Sequence, residues 1–437
     1  MNEYAKKVKR KLTGLIEKMS ENAEIYVKNP GKDFSRKRKL PFETVIHLLI
    51  SMGGNSIYKE LLESQGYDLN TATASAFIQQ RGKILPCTFE HLLHEFTNSH
   101  STLKKYRGYR LLAKDGSELH FARNPDDLET YYQTNEDSKG YNMLHLNVLY
   151  DLCNRLYVDT VIQPSKVQNE RKALVDMVDR SIVNDKTIVI ADRNYESYNI
   201  FAHIEQKGWN YLIRVKDIDS NGILSGLLLP DEDEFDITVD RILTRRHTNQ
   251  VIANPDVYRF MPSNVNFDFL PLKSKDVYTI SFRVVRLKVD EGSYQTIITN
   301  LEQGKFPSDE IKELYRMRWG VETSFRELKY SVGLVNFHAK KREYVVQEIF
   351  ARIIMYNFSE MITSHVVISQ ADTKHAYQVN FSVAIHICKF FLRLPRNIPP
   401  IDVDALIRKN ILPLRSGRKQ KRRVKQKKAV SFIYRIA

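Results

Sequence analysis

The sequence predicts an α/β protein: a mixed sheet flanked by helices, with a helical N-terminal domain before it and a β-rich insertion within it. Three observations lead there. Roughly the first 105 residues repeat their apolar positions with helical period and are punctuated by Gly and Pro. From residue 106 the pattern changes to short apolar runs rich in Leu, Val and Tyr, first three in succession and then alternating with helical stretches. A long strand-like segment follows, and after it a strongly periodic helix between Pro307 and Lys329.

Composition limits what such a chain does. With 437 residues, 42% hydrophobic and 11% aromatic, it fills the cores of two or three domains and is not a disordered protein. No apolar run approaches the roughly 18 residues that span a bilayer, and the first 20 residues are basic and amphipathic without a signal-peptide core. The chain therefore reads as soluble and cytoplasmic, with no membrane partner. Cys87, Cys153 and Cys388 are too few and too scattered for a disulfide framework or a CxxC metal site. The net charge of +15 is concentrated at the ends: residues 408–437 hold twelve Lys or Arg and no acid, and residues 1–40 hold twelve basic and five acidic residues. Basic arms on a near-neutral body suit a polyanion.

In chain order, a basic amphipathic segment from Glu3 to Met19 precedes the basic run Arg36 to Lys39. Pro41 opens a helix that Gly53 and Gly54 close, and helices are expected at 56–65, 74–84 and 89–97. Short basic helices over residues 1–105 suit a DNA-binding head. The segment Ser75 to Ile84 offers Gln79, Gln80, Arg81 and Lys83 to base edges or phosphates, although an ordinary helical subdomain with solvated charges has the same pattern. His91 and His94 lie three apart without a companion Cys or His cluster, so no zinc site is expected.

Strands are expected at 109–114, 144–150 and 155–162, with Cys153 and Asn154 in a hairpin turn. A helix at 168–182, a strand at 187–191, a helix at 196–206 and a strand at 211–216 follow. Three strands and then alternating helix and strand is the order of an RNase H-like fold, whose first part occupies 106–216. Residues 217–293 are more than that fold needs here, and FDITVDRIL and VYTISFRVVRLKV alternate as antiparallel strands, so this stretch reads as the insertion. Its acidic run Asp231 to Glu234 reads as a solvated loop. The strand 294–301 returns to the central sheet, and the core's second part runs over 294–400, with apolar helices at 343–366 and 379–394 packed on it. Pro395, Pro399 and Pro400 end the ordered part, and a basic tail occupies 401–437.

The residues suited to chemistry stand at the ends of these elements. YRLLAKDGS, 109–117, is an apolar strand ending at Asp115, and TIVIADRNY, 187–195, is another that stops at Asp192. An apolar run closed by Asp is common in α/β proteins, and either aspartate alone reads as structural. In the helix after Pro307 and Ser308, residues Ile311, Leu314, Met317, Val321, Phe325 and Leu328 form the core face. At 3.6 residues per turn, Tyr315, Arg318, Glu322 and Lys329 share a sector of roughly 60° beside it. Taken alone, that sector is equally a solvated face with Glu322 paired to Arg318 or Arg326. Trp319 reads as core, and His120 and His145 as structural histidines.

The order Tyr315, Arg318, Glu322, Lys329, with two, three and six residues between, resembles the Tyr-Arg-Glu-Lys signature of the IS4 family of DDE transposases, in which Trp commonly follows the Arg. Asp115 in DGS is similar to the family's first aspartate, and Asp192 in DRNY to its second, with Asn194 where Gly is commoner. A β-rich insertion before the last carboxylate is also a feature of that family, and the resemblance covers about residues 40–435. It implies that Asp115, Asp192 and Glu322 are the catalytic, metal-binding carboxylates and that Tyr315, Arg318 and Lys329 contact transposon-end DNA near the cleaved strand. Arg193, directly after Asp192, is a further candidate phosphate ligand.

Three clustered carboxylates do not stay ionised together without cations, and hard oxygen ligands select Mg²⁺ or Mn²⁺. Two ions roughly 3.5 to 4 Å apart would clamp the attacking and leaving oxygens of an in-line displacement. The resemblance implies hydrolysis by water and then strand transfer by the freed 3′ hydroxyl. The partners are double-stranded DNA, as transposon ends and target, and a second copy of the chain in a synaptic homodimer. A metal-dependent nuclease of the same fold that cuts without joining, and a catalytically silent DNA-binding repressor, are the alternatives.

Overall fold

The computed structural model describes residues 3–36, 38–100, 103–133, 135, 139–218, 220–368, 376–395 and 398–414. The tail from 415, expected to contact phosphates, lies outside them. Five helices come first: α1 (Glu3–Glu21), α2 (Phe42–Ser51), α3 (Ile57–Ser64), α4 (Ala74–Arg81) and α5 (Cys87–Asn98). The central run is β1 (Arg110–Phe121), β2 (Tyr131–Tyr132), β3 (Tyr141–Asp151), β4 (Leu156–Pro164), α6 (Glu170–Asp179), β5 (Thr187–Ala191), α7 (Tyr198–Gln206) and β6 (Asn210–Val215). Then come β7 (Phe235–Thr244), α8 (Asn249–Ala253), β8 (Tyr258–Phe260), β9 (Val277–Asp290) and β10 (Ser293–Thr299). The last elements are α9 (Ser308–Met317), α10 (Trp319–Arg326), a π-helical turn (Glu327–Val332), α11 (Arg342–Thr363), β11 (Tyr377–Val379), α12 (Phe381–Arg393), α13 (Val403–Lys409) and β12 (Ile411–Pro413). Among the described residues, no helix is long and apolar enough to cross a membrane.

The described residues form two compact units, one lying within 103–118 and 144–323 and the other within 3–100, 119–143 and 324–414. The first holds most of the sheet. Its strand order is β4-β3-β1-β5-β6, continuing through β10, β9, β7 and β8. β3 and β4 form an antiparallel hairpin, whereas β5 runs parallel to β1 and β6 parallel to β5. That is the RNase H-like order. β5 is buried at every position and apolar from Ile188 to Ala191, as a strand covered on both faces requires. Ile188, Ile190, Leu111 and Leu212 point to one core with Ile311 and Leu314 of α9. Val189, Ala191, Leu112 and Ile213 point to the other with Leu174 of α6 and Phe201 of α7. The strands of the expected insertion do not stand apart: β9 pairs with β10 and β7 with β9, extending the same sheet.

In the second unit, α11 is buried along nearly its whole length and packs against α1, α2, α5 and α12. The sequence reading offered Arg81 to DNA, and the structure corrects it. Arg81 is 1% exposed and donates to Glu348 Oε1 at 2.8 Å, Gln347 Oε1 at 3.2 Å and the Tyr344 carbonyl at 2.8 Å. A guanidinium in the core has to be neutralised there, and α11 supplies the acid. Order also continues past the prolines at 395–400, where α13 follows and β12 pairs with β11.

Candidate active site

β1 and β5 place the two aspartates. Their parallel register pairs Leu112 with Val189 and Ala113 with Ile190, so two residues further along, Asp115 lies beside Asp192. Side chains alternate across a strand. Asp115 shares the face of Leu111 and Ala113, and Asp192 that of Ile188 and Ile190, the face on which α9 packs. Asp115 Oδ1 accepts from Gly116 N at 2.8 Å, and Asp192 caps a 3₁₀ turn by accepting from Asn194 N at 2.9 Å. Asn194 has no positive φ. A glycine is therefore not needed at that position.

The third carboxylate arrives on α10. The expected continuous helix is divided at Arg318, where backbone bonds tighten: Arg318 N donates to the Tyr315 carbonyl and Val321 N to that of Arg318. Ile311, Leu314, Val321, Phe325 and Leu328 are buried as the periodicity indicates. Met317 is 37% exposed and Trp319 is 52% exposed, so both leave the core assigned to them. The turn at Arg318 tilts these neighbours outward while the stripe that follows stays inward.

Arg318 is the meeting point. It is 6% exposed, its Nη2 donates to Glu322 Oε1 at 2.9 Å, and its Nη1 lies 3.7 Å from Asp115 Oδ2. Its guanidinium also lies near the rings of Tyr315 and Trp319, at 5.7 and 5.5 Å from their centroids. Burial pushes the Asp115 carboxyl up to about 6; Gly116 N–H and Arg318 oppose the rise, and the charges of Asp192 and Glu322 add to it. The three carboxylates thus act electrostatically on one another. They do not close to within 4.8 Å as a set, and Arg318 bridges two of them.

The other expected residues are placed differently. Tyr315 is buried against Arg318, and Arg193 is exposed beside Asp192. Lys329 lies in the π-helical turn, in the second unit. One residue was missed. β5 and β6 pair Ala191 with Ile213, so Arg214 follows in register beside Asp192, on the same sheet face and exposed. Its signal was the basic residue in an otherwise apolar YLIRVK strand, but only pairing tells which neighbour it meets. On the opposite face, Lys114 is fully buried, and burial pushes its ammonium down to about 7 against the pull of Glu170 and Asp115.

An RNase H-like sheet with aspartates at the ends of adjacent parallel strands, and a glutamate carried to the same face by a late helix, is a DDE-type arrangement. Residues 106–358, more than half of the chain, match the family model of the transposase DDE domain, and the chain belongs to that family. Among solved structures it is similar to a piggyBac transposase in a synaptic complex with hairpin DNA, at 9% identity and a TM-score of 0.45, over 90% of this chain and 78% of that one. No curated protein matches the sequence.

Proposed function

We propose that the chain is a cut-and-paste DNA transposase of the IS4 type, which binds the inverted repeats of transposon ends, hydrolyses the DNA there and joins the freed 3′ ends to target DNA. The observation that carries this reading is the convergence of Asp115 and Glu322 on the buried Arg318, with Asp192 in register beside Asp115. The Tyr315, Arg318, Glu322, Lys329 spacing and the DGS and DRNY settings support the IS4 assignment.

Asp115, Asp192 and Glu322 are the proposed catalytic and metal-binding groups. They present only hard oxygen donors, and burial, with the charges of Asp192 and Glu322 adding to it, raises the Asp115 carboxyl to about 6. Two Mg²⁺ or Mn²⁺ ions bound there would activate the attacking oxygen and stabilise the leaving one. Arg318, whose Nε finds no acceptor among the described residues, offers a buried donor to a phosphate oxygen. Arg193, next to Asp192 in the chain, and Arg214, in register beside it on β6, are both exposed and neutralise neighbouring phosphates of the bound strand. Tyr315 holds Arg318 in place, and Lys329 adds a phosphate contact. In the N-terminal helical region, a cleft of about 410 Å³ is lined by Lys32, Arg36, Arg38 and Lys83 against the single acid Asp33, a surface suited to the DNA backbone. Two transposon ends call for two copies of the chain.

The test uses purified protein, a labelled duplex carrying the inverted repeat that flanks its gene, Mg²⁺ or EDTA, and a supercoiled plasmid. Metal-dependent nicking at the repeat boundary followed by covalent joining to the plasmid is the expected result. Cleavage without joining would mean a nuclease, and tight binding without cleavage a silent DNA-binding protein.

A further inference from the structure

Behind the carboxylate face, on the other side of the same strands, lies a buried polar cluster that the reaction chemistry does not use. Lys114 Nζ donates to Asn147 Oδ1 at 2.8 Å and to the carbonyl oxygen of Asp115 at 3.1 Å, and it lies 5.0 Å from the centroid of the Tyr195 ring. Gly116 sits over the His145 imidazole, so closely that a Cβ there would stand 2.4 Å from His145 Nε2. His145 Nε2 in turn lies 3.1 Å from Glu170 Oε1. The other oxygen, Glu170 Oε2, accepts from the Tyr195 hydroxyl at 2.9 Å. Tyr195 is 1% exposed and closes the 3₁₀ turn that Asp192 caps. The next residue of α6, Arg171, donates from Nε to the carbonyl of Asn194 in that turn at 2.8 Å.

We infer that Glu170 is a positioning residue that fixes the separation of Asp115 and Asp192, by holding His145 beneath the Asp115 segment with one oxygen and Tyr195 beneath the Asp192 turn with the other. The argument rests on the reading of those aspartates as the active carboxylates. β1 and β5 are hydrogen-bonded only as far as Ala113 and Ile190 in register. The two aspartates therefore stand where the ladder ends, and sheet pairing alone does not lock them. Glu170 spans that gap from below, at the first position of α6, whose N-cap Asn169 accepts from Lys172 N. The carboxylate stays ionised across neutral pH, because its contact with His145 above all, and then the Tyr195 hydroxyl, pull it down to about 2 against burial. A group that orients ligands in this way acts on cation affinity and on the chemical step, and leaves DNA affinity alone.

The experiment compares wild type, Glu170→Gln and Tyr195→Phe in the full chain by Mn²⁺ binding (electron paramagnetic resonance), thermal melting, duplex binding and single-turnover cleavage. Both variants are expected to melt within a few degrees of wild type and to bind duplex DNA equally well. Mn²⁺ affinity should fall by about 10- to 100-fold, and cleavage on the order of 100-fold. Because both changes break one link, the double variant should be no worse than the weaker single one. A Glu170→Gln protein that melts normally and binds Mn²⁺ as wild type does would overturn the inference. So would losses in proportion to lost thermal stability, which Tyr195→Phe, missing only one hydroxyl, makes visible. Wild type that neither binds Mn²⁺ nor cleaves would instead remove the functional reading itself.

Discussion

Glu322 and Arg318 form the closest pair among the site's charged groups, and the pair sets a first expectation. Glu322→Gln keeps the size and one acceptor for Arg318 but removes a charge. Cleavage should be abolished while duplex binding stays nearly unchanged; Mg²⁺-dependent cutting by a homogeneous sample of the variant would remove Glu322 from the reaction. Asp115 sets the second. Its pKa is about 6 in the fold against 3.8 for an unperturbed aspartate, with burial as the first cause. Between those values the native state binds the proton more tightly than the unfolded chain, so stability falls as pH rises through this window. Above pH 6 the ionised group is a net cost. Asp115→Asn should therefore melt above wild type at pH 7.5, with the difference gone near pH 4. A variant less stable than wild type at both pH values would contradict the assigned shift.

At the scale of elements, β1 carries two opposed demands: Asp115 faces the carboxylate side, and Gly116 leaves the room that His145 fills behind it. Gly116→Ala should lower the melting temperature and cleavage together, because the ring cannot retreat from a Cβ at 2.4 Å without losing Glu170. His145→Ala in the same chain should restore much of the melting temperature but not cleavage. Unchanged melting of Gly116→Ala would show that the strand yields instead. The helix pair α9 and α10 shows how far periodicity reaches. Leu314, Val321 and Phe325 lie where a 3.6 period puts them, whereas Met317 and Trp319 flank the turn at Arg318 and face outward. A pattern of apolar residues reports one regular helix; it does not report a break of one residue.

At the scale of the whole molecule, the two units are held by different means. The sheet unit is a stack of two apolar cores on one continuous sheet. The helical unit surrounds α11 and places ion pairs inside it. Arg81→Ala should destabilise the protein by about 3–5 kcal/mol in urea unfolding, since Glu348, 2% exposed, would lose its main guanidinium partner in the core. A loss under 1 kcal/mol would show that His338 and Arg352 already suffice. The N-terminal helices and the strand order were legible from composition and period. The burial of Arg81 was not, because QQRGK has the sequence of a solvated face, and only the arrival of α11 more than 260 residues later turns it inward.

The sequence by itself determined which residues are the candidates for the chemistry and which elements carry them: an aspartate closing each of two apolar strands, and a glutamate on a periodic helix at fixed spacing from its tyrosine, arginine and lysine. These are local properties, written in side-chain period and in the residues that end an element. Tertiary structure alone decided that Asp115 and Asp192 fall in register, that Arg214 stands beside Asp192, that Arg318 is buried between two carboxylates, and that Glu170 lies under both aspartate segments. Each of these depends on pairings between residues distant in the chain, whose geometry is set by strand register and by the packing of one element on another, and no local pattern encodes it.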